Sequence, residues 1–137
     1  MFNQREEEFA SNAFLEFNFA PPTLCRNIGI LGLLHKRVLG LSHPMFQTLL
    51  PFCSDVPGAW CPGDHNKQLY GHLPEANFQL ALFCRSIFGM TYVYNRLPQE
   101  IVDNQTVSLF QNSLTRIARE MCENGDPDWI NLFSSRK

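Results

Sequence analysis

The sequence predicts a mainly α protein, a small bundle of five or six helices with an irregular Pro/Gly-rich middle loop, and three observations predict it. Apolar residues recur every three to four positions over several stretches, the period of a helix buried along one side. Prolines and glycines stand where these stretches stop. Between them, residues 51–66 carry Pro51, Pro57, Gly58, Pro62, Gly63 and Asp64, a density of breakers that regular structure does not tolerate. The length of 137 residues suits one hydrophobic core. A single domain over 1–137 is therefore expected, with N-terminal helices in 5–50, the loop in 51–66 and C-terminal helices in 67–137.

Residues 5–19 combine Glu with Phe9, Ala13, Phe14 and Phe17, which suits an amphipathic helix. Pro21 and Pro22 stop it, since neither can donate to a helical ladder. Thr23 can cap the next helix, whose apolar positions are Leu24, Ile28, Leu31, Leu34 or His35, and Val38, with Gly40 placed to end it. Gly29 and Gly32 lie inside this helix and each costs roughly 1 kcal/mol against Ala, so a close approach by a neighbouring element is expected at both. A short helix follows, with Ser42 or His43 as cap, Pro44 in its first turn and Met45, Phe46, Leu49 and Leu50 along it.

Beyond the 51–66 loop, expected to be the most mobile segment, Gln68–Tyr70 suits a short strand and Glu75–Leu82 the start of a helix. Phe83, Ile87, Met90 and Tyr94 recur at helical spacing, although Ile87, Thr91 and Val93 also suit a strand; helix is the expectation for 84–94. Leu97-Pro98 interrupts the chain. Val107, Phe110, Leu114, Ile117, Ala118 and Met121 then form the cleanest amphipathic pattern, with Thr106 as cap and Gly125 as stop. Asp126-Pro127-Asp128 opens a last turn, with Trp129 and Phe133 anchoring the tail.

The apolar content of 45% and charged content of 18% belong to a globular chain rather than a disordered one. The start, Met1-Phe-Asn-Gln-Arg-Glu-Glu-Glu, has the wrong charge for a secretory leader, and the longest apolar run, Ile28–Leu34, is far too short to span a bilayer. Five widely spread cysteines (Cys25, Cys53, Cys61, Cys84 and Cys122) without secretory context suggest reduced thiols and an intracellular protein. In that setting the Asn104-Gln105-Thr106 sequon is read as chance.

The formal net charge is −2, which excludes a generally polyanion-binding chain. It is unevenly spread. No acid occurs from Phe17 to Ser54, where Arg26, Lys36 and Arg37 stand, and Lys67 lies near Tyr70 further on. These four basic residues are the candidate nucleic-acid contacts, against the ordinary explanation of solvated helix faces. Cys53, Cys61, His65 and His72 are the candidate metal ligands, because zinc takes thiolate and imidazole. Seven residues separate the two cysteines, however, where a zinc knuckle normally has two to four. Cys84 beside Arg85 is a thiol with a basic neighbour, but no His stands near it in sequence to act as a base. Asp126 and Asp128 read as helix-start capping. No phosphate loop, zinc-protease or nucleophile-elbow motif occurs, so neither an enzymatic activity, a cofactor nor a small-molecule substrate is expected.

Three stretches together resemble a known family. They are Ala20-Pro-Pro-Thr-Leu-Cys-Arg-Asn-Ile-Gly-Ile-Leu-Gly-Leu-Leu-His-Lys-Arg-Val-Leu-Gly40; His65-Asn-Lys-Gln-Leu-Tyr70 with Arg85-Ser-Ile-Phe-Gly-Met90; and Tyr94-Asn-Arg-Leu-Pro-Gln-Glu-Ile-Val102 with Phe110 and Leu114. In this order they resemble the region that follows the polymerase core in non-LTR (LINE-type) retrotransposon polyproteins. The resemblance spans most of residues 14–133, through degenerate motifs that include no catalytic signature. It implies a helical domain that packs beside a polymerase or helps to hold template RNA. The Asp-Asp pair of the family's polymerase is missing from this chain, so the activity does not carry over. The function expected is that of a non-catalytic, retroelement-derived domain with a protein partner, and RNA as a second partner; the alternative is a structural subunit of a larger intracellular assembly.

Overall fold

A computed structural model of the chain describes residues 4–59, 63–71 and 86–135. Six α-helices occur among them: α1 (Gln4–Phe17), α2 (Pro22–Val38), α3 (Met45–Leu49), α4 (Ile87–Asn95), α5 (Gln99–Val102) and α6 (Val107–Glu123). Single 3-10 turns cover Cys53–Asp55 and Trp129–Asn131. This is the small helical bundle expected from the periodicity. No helix among the described residues is long and apolar enough to cross a membrane.

The centre of the bundle is the pair α2 and α6. Helix α6 gathers most of its apolar residues on one side, leaving Leu109 exposed, and buries Phe110, Leu114, Ala118 and Cys122. Against them α2 sets Leu24, Ile28, Leu31 and Leu34. Helices α1, α4 and the 129–131 turn close the core with Phe14, Met90, Tyr94, Trp129 and Ile130. Burying a large apolar side chain of this kind contributes about 1.5–3 kcal/mol, so these residues set the relative placement of the helices.

The ends are fixed by local chemistry. Thr106 caps α6 by accepting a hydrogen bond from the Leu109 N–H at 3.1 Å. Ser86 caps α4 through the Gly89 N–H at 3.4 Å. Helix α2 begins two residues earlier than expected: Pro22 is its first residue, so Thr23 lies inside the first turn and does not cap it. Gly40 and Gly125 end α2 and α6 at φ 77° and 78°. In each case paired hydrogen bonds run back to the last turn, Gly40 N–H to Arg37 C=O with Leu41 N–H to Lys36 C=O, and Gly125 N–H to Cys122 C=O with Asp126 N–H to Met121 C=O.

Gly32 meets the expectation of close packing, since a Cβ there would stand 2.2 Å from Nε2 of Gln111. Gly29 does not. Among the described residues a Cβ added at Gly29 meets nothing within 4 Å, and Gly29 itself is exposed. The strand expected at Gln68–Tyr70 is reduced to one antiparallel bridge, Phe52 with Leu69. The helix start expected at Glu75–Leu82 lies outside the described residues.

Candidate interaction surface

The three stretches that carry the family resemblance meet in one buried knot. His35 of α2 is fully buried and stacks on Phe110 of α6, with ring centroids 4.1 Å apart and planes 6° apart. Its Nε2 lies 2.8 Å from the Asn104 carbonyl, an acceptor, so Nε2 carries the proton. The Nδ1 lone pair then accepts the Tyr94 hydroxyl at 2.9 Å. His65 approaches Tyr94 from the other side. Its Nε2–H donates to the Tyr94 carbonyl at 2.9 Å, and its Nδ1 accepts the Lys67 N–H at 3.0 Å.

Burial pushes both imidazoles below their ordinary pKa, opposed in part by the carbonyls of Asn104 and Tyr94, so both are neutral. The Tyr94 hydroxyl is pushed up by burial as well. Each histidine has both ring nitrogens occupied and keeps none for a substrate.

The 64–69 segment is tied down by the same motif. Asn95 offers its side-chain amide to Leu69 as a strand would, accepting from its N–H at 2.9 Å and donating to its C=O at 2.8 Å. The Asp64 N–H donates to the Asn95 carbonyl, and the Asn66 N–H donates to Gln99. At the far end of the 51–66 loop, breakers exclude a repeating ladder, and hydrogen bonds to residues of α4 and α5 take its place. The sequon residues are also part of the scaffold, with Asn104 Nδ2 donating to the Ile101 carbonyl and Thr106 capping α6.

The four candidate nucleic-acid contacts do not form one patch. Arg26 and Lys36 are exposed on the outward side of α2. Arg37, about 20° round the helix from Arg26, is only 6% exposed because the 50–55 segment covers it; its Nε donates to the Leu50 carbonyl at 2.9 Å and its guanidinium lies 4.4 Å from the Phe52 ring centroid. It braces the 50–55 segment against α2. Lys67 donates to the Val102 carbonyl at 3.1 Å and pairs with Asp103 at 3.6 Å. Only Arg26 and Lys36 are presented together.

Of the candidate metal ligands, Cys61 and His72 lie outside the described residues, as do Cys84 and Arg85. Cys53 is disulfide-bonded. That departs from the expectation of five reduced thiols, and a disulfide sulfur is no thiolate ligand. With both nitrogens of His65 in hydrogen bonds, neither described candidate offers a metal its lone pair. Among the described residues no group of three His, Cys, Asp or Glu side chains could hold an ion. Asp126 closes a local turn by accepting the Asp128 N–H at 2.9 Å, but the helix-start capping expected of Asp126 and Asp128 is not made, since the 129–131 turn has no side-chain cap hydrogen bond.

A cleft of about 460 Å³ lies between the start of α1 and the end of α6, lined by Glu7, Glu8, Ser11, Cys122, Asp126 and Trp129 among others. No His, Lys or Arg among its lining residues could activate Cys122 as a nucleophile.

The surface feature that sequence reasoning missed is on α1. Its apolar residues do not share one buried face. Phe14 is fully buried and stacks on Trp129 at 5.2 Å, with the Arg119 guanidinium 4.8 Å from its ring centroid. Phe9 is 76% exposed and Phe17 66% exposed, with Phe19 just beyond at 72%. Phe17 and Phe19 stack on each other at 6.4 Å. At about 100° per residue, Phe9 lies roughly 140° round the helix from Phe14. That angle was available in the sequence, and it assigns Phe9 to the solvent side once Phe14 is buried. Helix α3 adds a second apolar group, with Leu41, Met45 and Leu49 exposed. Comparison with family models, with curated proteins and with solved structures finds no match to this chain.

Proposed function

We propose that this chain is a non-catalytic, retroelement-derived helical domain that works through protein contacts, with binding of RNA as a lesser, charge-driven activity. The single observation that carries the protein-contact reading is the run of exposed phenylalanines on and just after α1, at Phe9, Phe17 and Phe19. Contiguous exposed aromatic surface is costly in water and marks contact sites, where aromatic anchors supply most of the binding energy. The polar side chains of the interior support the non-catalytic part of the reading. His35, His65, Arg37 and Asn95 each hold backbone groups, so among the described residues none of the four is left as a base beside a nucleophile. The retroelement origin rests on the sequence resemblance alone.

The alternative, a structural subunit of a larger intracellular assembly, draws on the same aromatic surface and differs in what binds. A native pull-down of the tagged chain, eluted in steps of rising salt, separates them. RNA leaving at moderate salt supports the retroelement domain, because phosphate neutralisation is salt-dependent, and Arg26→Glu with Lys36→Glu then abolishes it. A defined protein surviving high salt, with no RNA in any fraction, favours the subunit. Alkylating free thiols without reductant tests the compartment. Protection of Cys53 in protein taken from its own cells places the chain in an oxidising environment, against the intracellular reading.

A further inference from the structure

The outward sides of α1 and α2 are built to the same spacing with opposite charge, and neither is covered within the described fold. On α1 the outward stripe runs Glu6, Phe9, Ala13, Glu16 and Phe17, every member at least partly exposed. On α2 it runs Cys25, Arg26, Gly29, Leu33 and Lys36, all exposed. The acids Glu6 and Glu16 are ten residues apart, and so are Arg26 and Lys36; at about 1.5 Å per residue both pairs span about 15 Å.

We propose that α1 of one copy of this chain docks antiparallel along α2 of a second copy. In that orientation Glu6 meets Lys36, Phe9 meets Leu33, Ala13 meets Gly29, Glu16 meets Arg26 and Phe17 meets Cys25. All five pairs fall in a single register, with charges at the flanks and apolar contacts between them. The two smallest residues, Ala13 and Gly29, oppose each other at the centre, where helix axes must come closest.

That centre explains Gly29. A glycine inside a helix is unfavourable, and the described fold asks for none here, since among the described residues a Cβ would meet nothing within 4 Å. A second helix arriving at this point would occupy that space. The charge pattern selects the occupant. From Phe17 to Ser54 the chain has no acid, while α1 carries Glu6, Glu7, Glu8 and Glu16 against Arg5 alone. Contact between α1 and α1 would oppose like charges, whereas α1 on α2 opposes unlike ones.

The contact is heterologous, since each copy uses two different surfaces, and so it continues head to tail rather than stopping at a pair. Phenylalanines contribute about 150–250 Å² each when buried. Two of them with one leucine make a small interface, and association belongs at the micromolar end. The proposal rests on reading the α1 aromatics as a protein-contact surface and names the partner of that surface.

Two variants test it, with mass measured by light scattering across a range of concentrations. Phe9→Ser/Phe17→Ser damages only the α1 surface, and Gly29→Glu damages only the α2 surface. Both sites are exposed, so both variants keep their helical circular dichroism, and Gly29→Glu melts no lower than the parent. The parent's mass is expected to rise with concentration past twice the 15.8 kDa chain mass. Each variant alone stays at one chain mass. An equimolar mixture stops at twice the chain mass, because one intact α1 surface meets one intact α2 surface and no further copy can add.

Continued association of either variant alone, or a mixture that stays monomeric, overturns the proposal. A parent that stays monomeric while its α1 surface still retains a different protein at high salt overturns the copy-to-copy contact and leaves the protein-contact reading in place. A parent that stays monomeric and captures no protein overturns both.

Discussion

On α2 the buried His35 and Arg37, on different flanks of the helix, each hold a backbone carbonyl from another part of the chain, those of Asn104 and Leu50. On its outer side, between those two in sequence, Lys36 faces solvent in line with Leu33, Gly29 and Arg26. Similar residue types thus serve opposite purposes within one turn. The buried side chains have fixed partners, so they carry stability and tolerate little change. The outer side is decoupled from the core, so its residues can change the surface without unfolding the protein. Helix α1 shows the same division, with Phe14 stacked on Trp129 inside and Phe9 and Phe17 exposed outside.

The sharpest way to break this contrast is His35→Ala. The substitution removes a ring stacked on Phe110 and leaves the Tyr94 hydroxyl and the Asn104 carbonyl buried without their partner. A loss of about 3–5 kcal/mol is expected in urea unfolding. A loss below about 1 kcal/mol would show that the knot does not organise the core.

Acid is the next largest perturbation. Both His35 and His65 have folded pKa values lowered from 6.5, chiefly by burial, so below that value the unfolded chain binds more protons than the folded one. Stability therefore falls as pH drops below about 6.5, and stops falling once the folded pKa values are passed. The slope is at most about 1.4 kcal/mol per pH unit for each histidine. Urea midpoints from pH 7.5 to 5 measure it, and replacing His65 with Gln should reduce the slope.

Arginine substitutions compare a covered and an uncovered position of α2 directly. Arg37→Ala removes the brace on the Leu50 carbonyl and the contact with Phe52, for a loss of about 2 kcal/mol. Arg26→Ala, on the exposed side, stays within about 0.5 kcal/mol of the parent. Equal losses would mean that the outer side is not decoupled. The smallest effects come from the two α2 glycines. Gly29→Ala raises stability by up to about 1 kcal/mol, since the helix gains and nothing is displaced. Gly32→Ala gains less, because the Gln111 side chain must move and give up its hydrogen bond to the Ile28 carbonyl. Thermal melts of the pair measure the difference.

Much of the bundle was legible in the residues because helix period and end signals are local. Leu24 to Leu34, Phe110 to Cys122, the Thr106 cap and the two terminating glycines all followed from spacing and backbone preference. The division of the phenylalanines on α1 was harder, because a helix with apolar residues on several sides does not say which will find partners; Trp129 settles it from 115 residues beyond Phe14. Arg37 looked like a surface charge because the segment it braces is irregular and has no sequence pattern of its own. His65 looked like a ligand for the same reason. What occupies its two nitrogens, the Tyr94 carbonyl and the Lys67 N–H, is backbone, and backbone carries no residue signature.

The knot also has a consequence for the order of folding. His35 meets Tyr94 across 59 residues and Asn104 across 69. Contacts so distant in sequence close late, after the loss of chain entropy that brings them together, so the helices can flicker into existence long before the core is sealed. The rate-limiting event should then be the arrival of α4–α6 on α2, and substitutions at Tyr94 and Phe110 should slow refolding more than those at Thr106. It also means that the chain cannot be divided: a fragment ending before α4 keeps His35 but not the residues that hold it, and should remain unfolded until the other half is added.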